Sequence, residues 1–239
     1  MIEDEELFAA DLVGKRLLRV TTAWHHYADD VPSLLQLWLH VDGLGPVLFH
    51  TPGTGLSLRI DRPHEPCTMG QYGHVTVTDG APGVAVTRFV GLPIRWVREI
   101  RHRDGRTDFA AGLRLGFPGG SVRLLALDDE LVLAHERHLG PVEVHLHEDS
   151  VLARVVQTCH GFPSQWDAWT TGGQYLYLRY RHGEGSVERH PDADPDTWDG
   201  EGSALWARWD DGTGGGIIEL ADFLAAAGLR PAPGAEVPS

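Results

Sequence analysis

An internal repeat constrains the fold of this chain more than any other feature of its sequence. Residues 13–20 recur 77 positions later as residues 90–97, with valine, glycine, an aliphatic residue and valine at matching places. Three further pairs of segments follow in the same order: 37–43 with 113–119, 47–49 with 122–124, and 56–58 with 131–133. Four matched segments in one order indicate that a structural unit is duplicated.

The repeated segments have the pattern of β-strands. Apolar and polar residues alternate along them, which is the period of a half-buried antiparallel sheet. The Asp42-Gly43 and Gly119-Gly120 pairs end the second segment of each copy. Such pairs favour tight hairpins because glycine adopts positive φ readily. We therefore predict a mainly β fold whose first part consists of two duplicated antiparallel β modules, at about residues 13–60 and 90–135.

A different pattern follows the second copy. Residues 174–181 alternate like a further strand. Residues 218–227 carry apolar side chains at helical spacing, and Gly228 then supplies a helix stop. These patterns predict a smaller β-plus-helix C-terminal unit. The predicted domains are a duplicated β domain at 1–149, the β-plus-helix unit at 150–229, and a flexible, Pro/Ala-rich tail at 230–239.

Two motifs in the repeat carry a resemblance to known proteins. Each copy has a Gly-x-x-(Leu/Ile)-x-x-Val segment followed by a Leu-x-Leu-x-(Phe/Val) strand that ends in a glycine turn, within residues 12–135. In this pattern the chain resembles actinobacterial two-repeat β proteins and, less closely, the small proteins of bacterial toxin–immunity systems. The pattern consists of apolar alternation and glycines, so it carries over no functional residue.

Acidic residues outnumber basic ones. The chain holds 34 Asp and Glu residues against 20 Lys and Arg residues, a formal net charge of −14. A chain of this charge repels phosphate, so we predict no nucleic-acid partner. The acids concentrate at residues 184–222, a stretch with eleven acids and two arginines. This stretch predicts either a solvated face or an acidic surface that binds a basic protein.

Three of these acids have the spacing that begins a calcium-binding loop, namely Asp192, Asp194 and Asp196. The pattern then departs from an EF-hand, because position six is Thr197 rather than the glycine that the sharp turn needs. We therefore assign these three aspartates to the candidate surface for a basic partner. The turn at 210–216 begins with two aspartates, which oppose a phosphate, so we predict an ordinary turn there.

One strand carries residue types that are typical of protein interfaces. Alternate residues along 174–181 share one face of the predicted strand. The polar members of that face are Tyr175, Tyr177, Arg179 and Arg181. Tyrosine and arginine are enriched among interface hot spots, so this face is a candidate partner-binding site. The alternative is that the tyrosines pack beneath neighbouring tryptophans and the arginines neutralise acids within the fold.

Two histidines form the candidate metal site. His145 and His147 are two positions apart, so in a strand their imidazoles lie on one face and can reach one ion. The segment approaches the cupin pattern but departs from it in both spacings, because Gly140 lies too close to His145 and Glu148 directly follows His147. The alternative is an exposed, histidine-rich strand end, which we favour.

Together these features predict a non-catalytic, acidic protein-interaction module of the immunity or antitoxin type. The alternatives are a metal-dependent enzyme that uses His145 and His147, and a scaffold or regulatory subunit. We predict a basic protein partner and no cofactor, and we leave the oligomeric state open. No apolar run approaches the roughly 18 residues of a membrane span. Residues 1–6 are acidic where an export signal is basic, so we expect a cytoplasmic protein.

Overall fold

The structure is a computed structural model that describes residues 7–238, except 29, 54, 82, 105, 128–129, 135–144, 149 and 193–203. The described residues form a mainly β fold with one α-helix, which confirms the predicted fold class. The chain divides into two compact units. The first unit comprises Met1–Ile94 and Glu99–His147, and the second comprises Arg95–Arg98 and Glu148–Ser239.

The first copy of the repeat supplies most of one sheet. Its strands are β1 (Leu17–His26), β2 (Ser33–Val41), β3 (Gly45–His50) and β4 (Ser57–Ile60), followed by β5 (Cys67–Thr68) and β6 (His74–Asp79). These six strands pair in the order β4-β3-β2-β1-β6-β5. Short 3-10 helices lie at Ala9–Leu12, Gly70–Tyr72 and Ala85–Phe89.

The second copy repeats this arrangement. It supplies β7 (Trp96–Arg103), β8 (Asp108–Phe117), β9 (Gly120–Leu127) and β10 (Glu130–Ala134), and a short strand β11 (Leu146–Glu148) pairs with β7. The four repeat strands of each copy are neighbours in the same order, β4-β3-β2-β1 and β10-β9-β8-β7. Equivalent cross-strand pairs are Leu39–Val47 and Leu115–Val122, and Phe49–Leu58 and Leu124–Leu133. Order and register therefore confirm the duplication.

The hairpin between the second and third strands explains the last change in the repeat offset. Three residues, 42–44, connect these strands in the first copy, whereas two residues, 118–119, connect them in the second. The offset therefore falls from 76 to 75 positions at this turn. Gly43 and Gly119 have φ angles of 77° and 83°, which glycine adopts without steric cost.

The starts of the two copies pair with each other. The Gly14 N–H donates to the Ile94 carbonyl and the Gly91 N–H donates to the Leu17 carbonyl, each at 2.7 Å. Gly14 and Gly91 are equivalent in the repeat, and so are Leu17 and Ile94. Exchange of the two copies therefore leaves this hydrogen-bond pattern unchanged, which is the property of a pseudo-twofold axis.

The second unit is a sheet with a helix packed on it. Its strands are β12 (Val151–Cys159), β13 (Ser164–Thr170), β14 (Tyr175–Arg181), β15 (Glu184–Arg189), β16 (Ala204–Asp210) and β17 (Arg230–Glu236), in the order β16-β15-β14-β13-β12-β17. The helix α1 (Leu220–Ala227) ends at Gly228, whose φ of 68° is the predicted helix stop. Among the described residues no helix has the length and hydrophobicity to cross a membrane.

An aromatic core joins α1 to the sheet of the second unit. The Phe223 ring lies 5.2 Å from the Trp166 ring and 4.8 Å from the Trp209 ring, between centroids. All three side chains are buried. Burial of such rings removes a large apolar area from water, so this cluster is a principal source of stability in the unit.

The prediction of a flexible tail at 230–239 is wrong for most of that segment. Residues Arg230–Glu236 form β17, which pairs in parallel with residues 151–154 of β12. Proline is tolerated on an edge strand because no N–H is needed on the side that faces away from the sheet. The Pro/Ala-rich composition therefore does not prevent this segment from joining the sheet.

Four residues of the second copy of the repeat, Arg95–Arg98, belong to the second unit. Trp96 pairs with Ala207 of β16, and the Arg208 N–H donates to the Arg95 carbonyl at 2.9 Å. The beginning of β7 therefore contributes to the second unit, which the repeat alone does not predict.

Arg98 is a fully buried cation in the second unit. Its Nη1 donates to the carbonyls of Val97 and Trp206, each at 2.9 Å, and its Nη2 donates to the carbonyl of Ala227. Burial lowers the pKa of Arg98 to about 9, and the negative charge of Glu148 opposes this shift. The guanidinium is therefore charged at neutral pH and connects β7, β16 and the end of α1.

Candidate functional site

The predicted acidic surface is described only in part. Asp192 is exposed and follows β15, whereas Asp194 and Asp196 lie outside the described residues. Glu184, at the start of the same acidic stretch, forms an ion pair with Arg208 at 2.9 Å. The role of the three aspartates in binding a basic partner stays a prediction.

Tyr175, the first residue of the predicted Tyr/Arg face, is buried. It is 2% exposed, and its hydroxyl donates to Asp167 at 2.9 Å. Its ring lies 5.5 Å from that of Trp169 and 5.8 Å from that of His190. Burial, and then the bond to Asp167, raise the pKa of Tyr175. This tyrosine therefore packs against a neighbouring tryptophan, which is the alternative that the sequence left open.

The rest of the Tyr/Arg face is progressively more exposed along β14. Tyr177 and Arg179 are half-buried, and Arg181 at the end of the strand is exposed. The strand lies in the interior of the sheet, between β13 and β15, so its central side chains have neighbours on both sides. Partner binding by Tyr177, Arg179 and Arg181 stays a prediction, while Tyr175 does not reach the surface.

The two candidate metal ligands lie at the end of the first unit. His145 precedes β11, and its ring centroid is 5.3 Å from that of His102; His147 lies on β11 and is exposed. Within the residues that the structure describes, no group of three His, Cys, Asp or Glu side chains could hold a metal ion. Metal binding by His145 and His147 stays a prediction that elemental analysis of the purified protein tests.

Three loops meet at one end of the second unit. The Gly183 N–H donates to the Gly215 carbonyl at 2.6 Å, and the Ser164 N–H donates to the Gly216 carbonyl at 2.9 Å. The Asp211 N–H in turn donates to the Gly183 carbonyl at 3.0 Å. These backbone bonds join the segment before β13, the β14–β15 turn and the segment between β16 and α1, so the loops hold one arrangement.

This end of the unit exposes apolar side chains beside carboxylates. Phe162 is 54% exposed and Ile217 is 67% exposed. The Phe162 ring lies directly on Gly216, where a Cβ would collide with it, and the His182 ring meets its edge at 5.2 Å. The Phe162 ring is therefore held in place although it faces solvent. We call Phe162, His182, Asp210, Asp211 and Ile217 the loop surface.

The carboxylate of Asp211 is fixed by several donors. It accepts hydrogen bonds from the Tyr180 hydroxyl, from the Thr213 hydroxyl at 2.7 Å and from the Thr213 N–H at 2.9 Å. These bonds, chiefly that of Tyr180, hold the pKa of Asp211 below its ordinary value. The adjacent Asp210 is also exposed and accepts from the Gly212 N–H at 2.8 Å. The loop surface thus presents two carboxylates in set positions.

A pocket of about 560 Å³ lies in the first unit. Its floor is formed by side chains of β1, β2 and β6, and its wall by the segment that follows β4. The floor residues are Arg19, Thr21, His40, Val77 and Asp79, and the wall residues include Arg62, Pro63, His64, Glu65 and Pro66. The sequence pattern does not indicate this pocket, because the polar residues of its floor are dispersed over three strands.

The floor of the pocket is a closed ring of hydrogen bonds. Arg19 donates to Asp79 at 2.8 Å and to His40 Nδ1 at 3.2 Å. Because a guanidinium can only donate, Nδ1 is unprotonated and Nε2 carries the proton. Nε2 then donates to the Thr21 hydroxyl at 2.9 Å, and that hydroxyl donates to Asp79. Burial and the charge of Arg19 lower the pKa of His40, against the effect of Asp79.

This proton arrangement limits what the pocket can do chemically. His40 Nε2 donates to Thr21, so it is not placed to remove the hydroxyl proton, as a base must to activate a nucleophile. The four hydrogen-bonded residues of the floor together carry no net charge, since the charges of Arg19 and Asp79 offset each other. The floor therefore offers a fixed polar surface for binding.

Comparison of the chain with protein-family models, with curated proteins and with solved structures gives no match. The sequence predicts only an ordinary turn at 210–216, because the position of Phe162 beside this turn depends on tertiary contacts.

Proposed function

We propose that this protein is an acidic interaction module, of the immunity or antitoxin type, that binds a basic protein through the loop surface of its second unit. The observation that carries the proposal is the combination of exposed Phe162 and Ile217 with the fixed carboxylate of Asp211. Apolar anchors beside charged groups are the composition of an interface centre and its rim.

The order of the loop surface favours tight binding. A side chain that is immobilised on binding costs entropy, and a side chain that is already held avoids part of that cost. Gly216 and His182 hold the Phe162 ring in the free protein. The Asp211 carboxylate is likewise held by Tyr180 and Thr213. A basic partner would thus meet a surface that needs little rearrangement.

The net charge supports a basic rather than an acidic partner. A chain of net charge −14 attracts positively charged surfaces and repels negatively charged ones. Such attraction mainly increases the association rate and is screened over about 8 Å at physiological salt. The carboxylates of the loop surface would then orient the partner, and the apolar side chains would slow its dissociation.

The experiment is affinity capture from the cell of origin with the purified full chain as bait. The test variant is Phe162→Ser with Ile217→Ser, and the matched control is Val31→Ser, because Val31 is 91% exposed but lies in the first unit. We expect a basic protein that the wild type and Val31→Ser retain and that the test variant loses. Equal retention by the test variant, or capture of no basic protein, contradicts the proposal.

Folding of the bait variants is checked separately. All three substituted side chains are largely exposed, and surface substitutions usually change stability by less than about 0.5 kcal/mol. Thermal unfolding of the variants is therefore expected to match the wild type. A loss of capture with unchanged unfolding assigns the effect to the surface itself.

A further inference from the structure

We infer that the pocket of the first unit binds a small zwitterion, specifically an α-amino acid with an apolar side chain. This inference concerns a different unit from the loop surface and does not depend on the proposed protein partner. It rests on the charges, the walls and the size of the pocket.

Two side chains of opposite charge line the pocket. Arg62 and Glu65 both line it and are exposed. Neither forms an ion pair within the described part of the chain. The other charges of the pocket, Arg19 and Asp79, pair with each other at 2.8 Å. The charges that remain to meet a ligand are therefore one guanidinium and one carboxylate.

This pair of charges selects the ligand class. A guanidinium binds a carboxylate through two parallel hydrogen bonds, and a carboxylate binds an ammonium group. A simple anion would be opposed by Glu65, and a simple cation would be opposed by Arg62. A ligand that carries both charges satisfies both residues, and an α-amino acid is the smallest common ligand of this kind.

The wall that carries these charges is held against the sheet. His64 Nδ1 donates to the Glu65 carbonyl at 2.8 Å, and Nε2 lies 2.7 Å from the side-chain amide of Gln36 on β2. The His64 ring also meets the Trp38 ring edge-on at 5.6 Å. Arg62 lies two residues before His64, and Glu65 directly follows it. The backbone that carries both charged side chains is therefore already in position before a ligand binds.

The remaining surface of the pocket accounts for an apolar side chain on the ligand. Pro46, Pro63, Pro66 and Val77 line the pocket between its polar groups. Its volume of about 560 Å³ lies within the roughly 300–1,000 Å³ of small-molecule sites. The neutral ring of Arg19, His40, Thr21 and Asp79 forms a floor that adds no net charge.

The test uses three probes that share the phenylalanine side chain and differ in which charged groups they carry. L-phenylalanine carries both charges, L-phenylalaninamide lacks the carboxylate, and N-acetyl-L-phenylalanine lacks the ammonium group. Isothermal titration calorimetry with the full-length protein is expected to show binding of L-phenylalanine that is about tenfold or more tighter than binding of either analogue. Failure of L-phenylalanine to bind at millimolar concentration, or equal binding of all three probes, overturns the inference.

Substitutions at Arg62 and Glu65 test which charged group of the ligand each residue contacts. Arg62→Gln is expected to weaken binding of L-phenylalanine about tenfold and not to weaken binding of L-phenylalaninamide, because the lost contact is the one to the ligand carboxylate. Glu65→Gln is expected to weaken binding of L-phenylalanine and not to weaken binding of N-acetyl-L-phenylalanine, because the lost contact is the one to the ligand ammonium group. Arg59→Gln is the matched control, since Arg59 pairs with Asp61 at 2.9 Å and does not line the pocket. If Arg59→Gln weakens binding of L-phenylalanine as much as Arg62→Gln does, the loss reflects the change in overall charge and not a contact of the ligand with Arg62, and the inference is contradicted.

Discussion

The two units of this protein reach a β fold by different means. The first unit uses one four-strand pattern twice, and its two copies are joined by equivalent hydrogen bonds of Gly14 and Gly91. The sheet of the second unit carries a helix, an aromatic core around Phe223 and the buried guanidinium of Arg98. Repetition stabilises the first unit through backbone pairing, whereas individual side chains connect the elements of the second.

This difference predicts where each unit is vulnerable. A repeated backbone pattern distributes its stability over many similar contacts, so equivalent positions should respond equally to the same change. A buried polar group that joins three elements concentrates its effect at one position. Substitutions in the two units therefore test the comparison directly.

The largest effect is expected at Arg98. Arg98→Met retains an apolar chain of similar length but removes the donors to the carbonyls of Val97, Trp206 and Ala227. Each buried acceptor that is left unsatisfied costs about 1–3 kcal/mol, so we expect a loss of about 3 kcal/mol or more in the free energy of unfolding. Urea denaturation measures this loss.

The matched control for this substitution is Arg95→Met. Arg95 is only half-buried and lies three residues before Arg98 on the same segment. A change below about 0.5 kcal/mol is expected there. If the two substitutions cost the same, the buried guanidinium does not connect the elements of the second unit as described.

A smaller and symmetric effect is expected in the first unit. Gly14 and Gly91 have φ angles of 81° and 90°, and apart from the adjoining residues no described heavy atom lies within 4 Å of a Cβ at either position. Substitution by alanine therefore costs only backbone strain, about 1–2 kcal/mol. Gly14→Ala and Gly91→Ala should lower the free energy of unfolding equally, to within about 0.5 kcal/mol. Clearly unequal costs in urea denaturation would show that the copies are not structurally equivalent.

The smallest expected effect is a difference between the two units in how their stability depends on pH. Burial and the charges of Arg19 and Arg59 lower the pKa values of His40 and His50 from 6.5 in the first unit. The folded form then binds fewer protons than the unfolded form, so stability falls as the pH drops below about 6.5. In the second unit the pKa of Asp211 is lowered from 3.8, so its contribution is lost only below that pH.

Amide hydrogen exchange at several pH values measures this difference in pH dependence between the two units. Between about pH 6 and pH 4.5, amides of β1 and β2 are expected to lose protection before those of β14 and β15. His40→Gln, which does not titrate, should reduce the pH dependence in the first unit only. Loss of protection in both units together at mildly acidic pH would contradict the assignment of these groups.

The repeat and the turns were predictable because their causes are local. Alternation defines a strand within a few residues, and the glycine at position 43 or 119 defines a hairpin without reference to the rest of the chain. The helix stop at Gly228 is local in the same way. Equivalent offsets along the chain then predicted that the two copies share one strand order.

The sites were not predictable because they depend on distant contacts. Arg98 bonds carbonyls that are 108 and 129 residues away, and Arg19 meets Asp79 across 60 residues. Alternation placed Tyr175 on a polar face, but it does not distinguish an exposed face from one that a neighbouring strand and its Trp169 cover. The composition of the C-terminal segment likewise did not show that β12 provides a pairing edge.

The most direct test of the proposed function is the association rate of the captured basic partner as a function of salt. The variant is Asp210→Asn with Asp211→Asn, which keeps the size of the loop-surface side chains and removes their charges. We expect the wild-type rate to fall about tenfold or more from low to high salt, the variant to associate more slowly at low salt, and the two rates to converge at high salt. A rate that is independent of salt, or equal for wild type and variant at low salt, would contradict an acidic surface that binds a basic protein.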